Sequence, residues 1–140
     1  MKIKSFTELT VWQRAHELAL AVFRMTETFP RSDQFGIVAQ VRRSSASVTA
    51  NIAEGFGRGT TKELLRSLQI SRGELEETRY FMLLSLDIGR ITRVDFETVN
   101  TLCDSVGQLI NALGRTLKAR LARLEDSRVT SHRSRVTEQH

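Results

Sequence analysis

Apolar residues in this chain recur at three- and four-residue steps, so the pattern predicts helices rather than strands. A first helix is expected from Thr7 to Thr28, with Trp12, Ala15, Ala19, Val22, Phe23 and Thr26 on one face. Phe29-Pro30 ends it, because the residue before a proline is pushed out of helical geometry. A second helix starts at Ser32 or Asp33, either of which can cap free amides, and its seam is Ile37, Val41, Ser44, Val48 and Ile52. Gly55-Phe56-Gly57-Arg58-Gly59 stops it, with glycine available for a left-handed cap. A third helix opens at Thr60 or Thr61, carries Leu64, Leu68, Ser71, Leu75, Met82 and Leu86, and closes at Gly89. Thr92 and Asp95 cap a fourth, in which Phe96, Val99, Cys103, Val106, Ile110, Leu113, Leu117, Leu121 and Leu124 give the best periodic signal in the chain. The last two helices would be roughly 40–50 Å long, matched in length as an antiparallel pair requires.

The expected fold is therefore all-α: an antiparallel up-down four-helix bundle with long third and fourth helices, over residues 1–125. Residues 126–140 contain two isolated valines and no other large apolar residue. Too little surface can be buried there to offset the entropy of ordering, which predicts a flexible tail. A bundle helix needs one apolar stripe, so apolar residues elsewhere ask for another partner. On the third helix Ile70, Tyr80, Phe81, Leu84 and Ile88 lie away from the seam, and on the second Ala46, Ala50 and Ala53 make a small-residue face. Both are candidate surfaces for self-association.

Composition narrows the chemistry more than it defines it. The 140 residues suit one domain, and no apolar run approaches the roughly 18 that a spanning helix needs. With no apolar signal core after Met1 and a single cysteine, a reducing cytoplasm is the expected setting, without membrane association. His16, His132 and His140 lack metal-site spacing, and Cys103 falls in the core seam, so neither metal nor cofactor is expected. The glycine stretch before Lys62 is unlike a phosphate loop, since it follows a helix instead of a strand. Gln40, Arg43, Ser47, Asn51 and Glu54 share one side of the second helix and read as a hydrogen-bonded structural network. No acid, base or nucleophile has a catalytic arrangement, so no catalytic residue and no enzyme is expected.

The charge is +5, and 17 of the 21 cations are arginine, the side chain that forks onto phosphate. Arg42, Arg43, Arg58, Lys62, Arg115, Lys118, Arg120 and Arg123 are the candidate phosphate contacts. Summed along the chain in blocks, the excess looks diffuse.

Phe6-x-x-Leu9-x-Val11-Trp12-Gln13-x-Ala15, Phe29-Pro30, Phe35-Gly36, Gln40-Val41-Arg42-Arg43-Ser44 and Ala50-Asn51-Ile52-Ala53-Glu54-Gly55 with Gly57-Arg58 carry a resemblance. Over residues 6 to about 120 the chain resembles the bacterial four-helix-bundle proteins named for the intervening sequences of 23S ribosomal RNA genes. Glu74 stands where that family tends to have a small residue. The resemblance implies a homopentamer and kinship with the accessory protein of diversity-generating retroelements, which binds nucleic acid and a reverse transcriptase. It implies no enzyme. The expectation is a non-enzymatic, oligomeric bundle that binds RNA or DNA through phosphates or docks a nucleic-acid enzyme. The alternative is a protein-interaction scaffold without a nucleic-acid role.

Overall fold

The computed structural model describes residues 2–138, and Gln139 and His140, the end of the expected tail, lie outside them. Among the described residues the secondary structure is helical, with no strand. The four α-helices are α1 (Thr10–Thr26), α2 (Ala39–Gly57), α3 (Thr61–Asp87) and α4 (Arg93–Thr137).

Each start has a chemical cause. Before α1 a short 3₁₀ turn, Phe6–Glu8, is closed by a capping box: the Ser5 hydroxyl accepts from the Thr7 amide, and Glu8 Oε2 accepts from the amides of Ser5 at 2.9 Å and Lys4 at 2.7 Å. Those two bonds hold the Glu8 carboxyl below its usual range. The turn takes up the residues that periodicity alone assigns to the first helix, which is why α1 begins at Thr10 and not Thr7. Thr60 and Thr92 cap α3 and α4 as the sequence predicts, accepting from Glu63 at 3.2 Å and Asp95 at 3.1 Å. Gly59 and Gly89 take φ of 80° and 78° in the connections that precede and follow α3, a region that favours glycine.

The start of α2 differs from expectation. Neither Ser32 nor Asp33 caps it; a 3₁₀ turn, Arg31–Asp33, and a π turn, Gln34–Val38, intervene. Gly36 at φ −108°, ψ −112° breaks the helical path there. Asp33 turns instead to Arg90, whose Nε donates to Oδ2 at 2.5 Å, and so ties the α1–α2 connection to the α3–α4 connection. Beside the break, Phe35 is 99% exposed.

The core lies mostly where the seams predict, but Leu18, absent from the expected first seam, is buried, while Phe23 and Leu124 of the expected seams are exposed. Leu18 and Val22 of α1, Val41, Val48 and Ile52 of α2, Leu68, Leu75 and Met82 of α3, and Val99, Cys103, Val106, Ile110 and Leu117 of α4 are buried in one cluster. Each helix packs on its neighbour in sequence, and α1 packs on α4. Partners run in opposite order along neighbouring helices: Val48 with Ser71 and Ser44 with Thr78 between α2 and α3, then Arg79 with Asp104 and Arg72 with Asn111 between α3 and α4. The α2–α3 contact is made close by small residues. A Cβ on Gly55 would stand 2.3 Å from Ser67 Cβ. The hydroxyls enclosed there are satisfied, Ser71 donating to the Val48 carbonyl at 2.9 Å and Ser44 sharing a 2.8 Å bond with Thr78.

Helix α4 outruns its partners. Leu117 is its last buried residue, and every residue from 122 to 138 is exposed. The sequence marks the end of the helix at Glu125; the structure continues it to Thr137. After Gly114 the described part of α4 holds neither Gly nor Pro, so the helical path continues past the point where packing ends. Thr130, Ser134 and Thr137 each donate their hydroxyl to the carbonyl four residues back, which satisfies these polar side chains within the helix.

Candidate nucleic-acid interface

Three of the eight expected phosphate contacts are engaged elsewhere. Arg42 closes the end of α1: its Nε donates to Thr26 Oγ1 at 2.8 Å, its Nη2 to the Phe23 carbonyl at 3.2 Å, and its guanidinium sits 4.9 Å from the Phe23 ring centre. Arg43 bridges to Glu74 at 3.3 Å and to Glu77, joining α2 to α3, and the Glu77 carboxylate raises its pKa. Arg58 pairs with Glu54 at 2.9 Å, one helical turn back.

The other five are free and gathered. Among the described residues no ion pair involves Lys62, Arg115, Lys118, Arg120 or Arg123, and all five are exposed. They lie where α4 leaves the packed helices. Lys62 and Arg128 line one cleft with Thr60, Thr61 and Glu125; Lys2 and Arg120 line a neighbouring cleft with the same threonines and Leu117. A third groove, between α3 and α4, has Arg72, Arg115 and Lys118 around Leu65, Leu68 and Ile110.

This arrangement changes how the charge is distributed. Residues 115–138 hold seven cations and three anions, a surplus of four out of the chain's +5. Summing in fixed blocks hides this, because a boundary at 125 cuts the charged part of α4 in two. Lys2 was not among the candidates, and Arg128, Arg133 and Arg135, noted in the sequence only as three more arginines of the tail, were left out of the candidate set. The signal that could have found them is the continuing absence of helix breakers past Leu124.

The expected polar network on α2 divides into separate pairs. Gln40 accepts from Arg43 Nε at 3.4 Å, Asn51 Nδ2 donates to the Ser47 carbonyl at 2.8 Å, and Glu54 holds Arg58. Of the candidate self-association residues, Ala50, Ile70, Tyr80 and Ile88 are exposed, with Tyr80 at 56%, while Ala46, Ala53, Phe81 and Leu84 are half-buried and Phe81 packs against the core. Phe35 and Val94, at 99% and 71% exposed, were not singled out as surfaces by the sequence. Val94 was invisible because one valine in a helix start carries no periodic signal.

Burial pushes the Cys103 thiol up to about 12, so it is a core side chain without nucleophilic character. His16 stacks on Trp12 at 4.9 Å. Among the described residues no group of His, Cys, Asp and Glu is placed to hold a metal ion, and no helix is long and apolar enough to cross a membrane.

Comparison with known proteins gives two findings. A family model described as 23S rRNA-intervening sequence protein matches residues 7–112. A crystal structure of a protein of unknown function from the S23 ribosomal protein family of Bacteroides thetaiotaomicron is similar at 23% identity and a TM-score of 0.67, over 75% of this chain and 98% of that one. No curated protein matches the chain. The matched span ends before the cationic part of α4, so the family likeness covers the packed helices and leaves that part to be read from its own chemistry.

Proposed function

Taking as premise that the chain belongs to the 23S rRNA-intervening sequence protein family, we propose that it is a non-enzymatic protein that binds nucleic acid through phosphate contacts. The observation that carries this reading is the unpaired cationic group at the exit of α4. Seven cations in 24 residues are a large local excess in a chain of +5, and among the described residues none of them is neutralised by a carboxylate. Cations in the last turns of a helix also suit its dipole, but that effect is confined to the final turn, whereas these extend from Arg115 to Arg135. Guanidinium groups without base-reading partners give affinity without sequence preference. The opposite ordering of partners on neighbouring helices supports an up-down antiparallel bundle as the frame. The family description names 23S rRNA, which makes nucleic acid the first polymer to test.

The direct test is titration of a labelled polynucleotide with the full chain across a salt series. The logarithm of affinity should fall linearly with the logarithm of salt, by about 0.9 per phosphate neutralised on a duplex. Joint replacement of Lys62, Arg115, Lys118 and Arg120 by Gln should flatten that slope. Affinity that ignores salt, or no binding at low ionic strength, removes the proposal.

Self-association belongs to the same proposal and has its own support. Phe35, Ile88 and Val94 are exposed near the end where Asp33 meets Arg90, remote from the α4 exit, and a second copy would cover them. Assembly would also multiply a modest charge into a strong field.

A further inference from the structure

Past Leu121 no side chain of helix α4 is buried for sixteen residues, 122–137, a reach of about 24 Å at 1.5 Å per residue. The apolar seam ends at Leu124, in the first turn of this overhang. Seven-residue steps from Val106 and Leu113 lead to Arg120, Ser127 and Ser134, and steps from Ile110 and Leu117 lead to Leu124 and Ser131. A second α4 would find no greasy strip to zip against.

What the overhang presents instead has a definite layout. At about 100° per residue, Ser127, Ser131 and Ser134 share a face. Arg123 lies along one flank of it, and Arg128 and Arg135 lie along the other, about 130° away. Val129 and Val136 point to the opposite side, with Arg133 between them and Arg123. Between Leu124 at the near end of this face and Glu138 at its far end, the short serine side chains let the helix axis approach whatever lies in front, while guanidiniums reach out to both sides. Arg135 gives one N–H to Ser131 Oγ at 3.2 Å and keeps its other donors. Among the described residues, Arg123 and Arg128 have no hydrogen-bond or ion-pair partner.

We propose that this overhang lies in the major groove of duplex DNA, with the serine face toward the base edges and the two arginine flanks on the phosphates of the two walls. The proposal rests on the nucleic-acid-binding reading above and names the polymer. The fit is dimensional: an α-helix with side chains is about 10–12 Å across and the B-form major groove about 12 Å wide. A single strand offers one backbone and would engage one flank. Duplex RNA is disfavoured because its major groove is deep and narrow. Where the overhang emerges, Lys62 and Arg120 line neighbouring clefts that share Thr60 and Thr61, placed to meet phosphates next to the point of entry.

The test uses the full chain and fluorescence anisotropy with three probes of one sequence: duplex DNA, duplex RNA and single-stranded DNA. Duplex DNA should bind at least tenfold more tightly than either other probe. Arg123→Gln should lower the salt slope on duplex DNA by about 1, and the double replacement Arg128→Gln with Arg135→Gln by about 2, since each phosphate lost removes about 0.9. Glutamine keeps helix propensity close to that of arginine, so the helix itself is retained. Salt-steep binding in which RNA or single strands match duplex DNA, or in which one flank carries the whole effect, overturns groove insertion and leaves the phosphate-binding reading standing. Failure of all three probes to bind at low salt overturns both.

Discussion

Gly55 shows how a single missing carbon sets a helix contact. In a helix interior alanine is ordinarily better than glycine by about 1 kcal/mol. Here the added methyl meets Ser67 Cβ at 2.3 Å and Oγ at 2.4 Å, close to the α3 backbone, so α2 and α3 must part. Gly55→Ala should lower stability by about 1–3 kcal/mol, read as a lower urea midpoint, and adding Ser67→Gly should recover part of the loss. The sequence identified Gly55 within Asn51-Ile52-Ala53-Glu54-Gly55, and assigned it to a connection. Its actual role, a close approach to a serine twelve residues further on, requires the third dimension. Cys103 was legible as a core residue, because its seam is regular on both sides. Its thiol is raised to about 12 from the ordinary 9.0, chiefly by burial. Between those values the unfolded chain ionises this thiol and the folded chain does not, so stability falls as pH rises through that window. Urea midpoints at pH 8 and pH 10 should therefore diverge more in the native protein than in Cys103→Ala. Thiol reagents should label Cys103 only on unfolding.

At the scale of elements, the chain announces its starts better than its ends. Thr60 and Thr92 were readable as caps because a hydroxyl followed by an acidic first turn has one common use. Thr92→Ala should cost about 1 kcal/mol, visible as a shift in thermal midpoint. The entry into α2 was not readable: Asp33 looks like a cap, but Arg90, 57 residues away, claims its carboxylate, and Gly36 unwinds the next turn. The end of α4 was misplaced for a related reason. Burial patterns report packing, and a polar helix continued from a packed one needs no new nucleus. Removal of residues 126–140 should accordingly leave the thermal midpoint within about 2 °C of the full chain, because every described residue removed is exposed. The same truncation should weaken polynucleotide binding.

Over the whole molecule, the two ends of the packed helices differ in kind. One carries the cationic overhang of α4; the other carries Phe35, Ile88 and Val94, which flank the connections tied by the Asp33–Arg90 pair. If that apolar end joins copies of the chain, Phe35→Asp should lower the mass measured in solution. The urea midpoint of the dissociated subunit should stay unchanged, since a ring 99% exposed supports nothing inside its own subunit. Retention of the full mass would place any assembly elsewhere, at Tyr80 or on the alanine face of α2. The arginines of the overhang have one more consequence. Trypsin cuts after such residues wherever the backbone can open, and Arg123, Arg128, Arg133 and Arg135 stand exposed on a helix that buries none of its side chains there, while Arg79 and Arg90 are held by aspartates. A brief digest should shave the protein from its carboxyl end and spare the remainder. Purification in a protease-rich lysate would then yield a shorter species, well folded and deceptively inert.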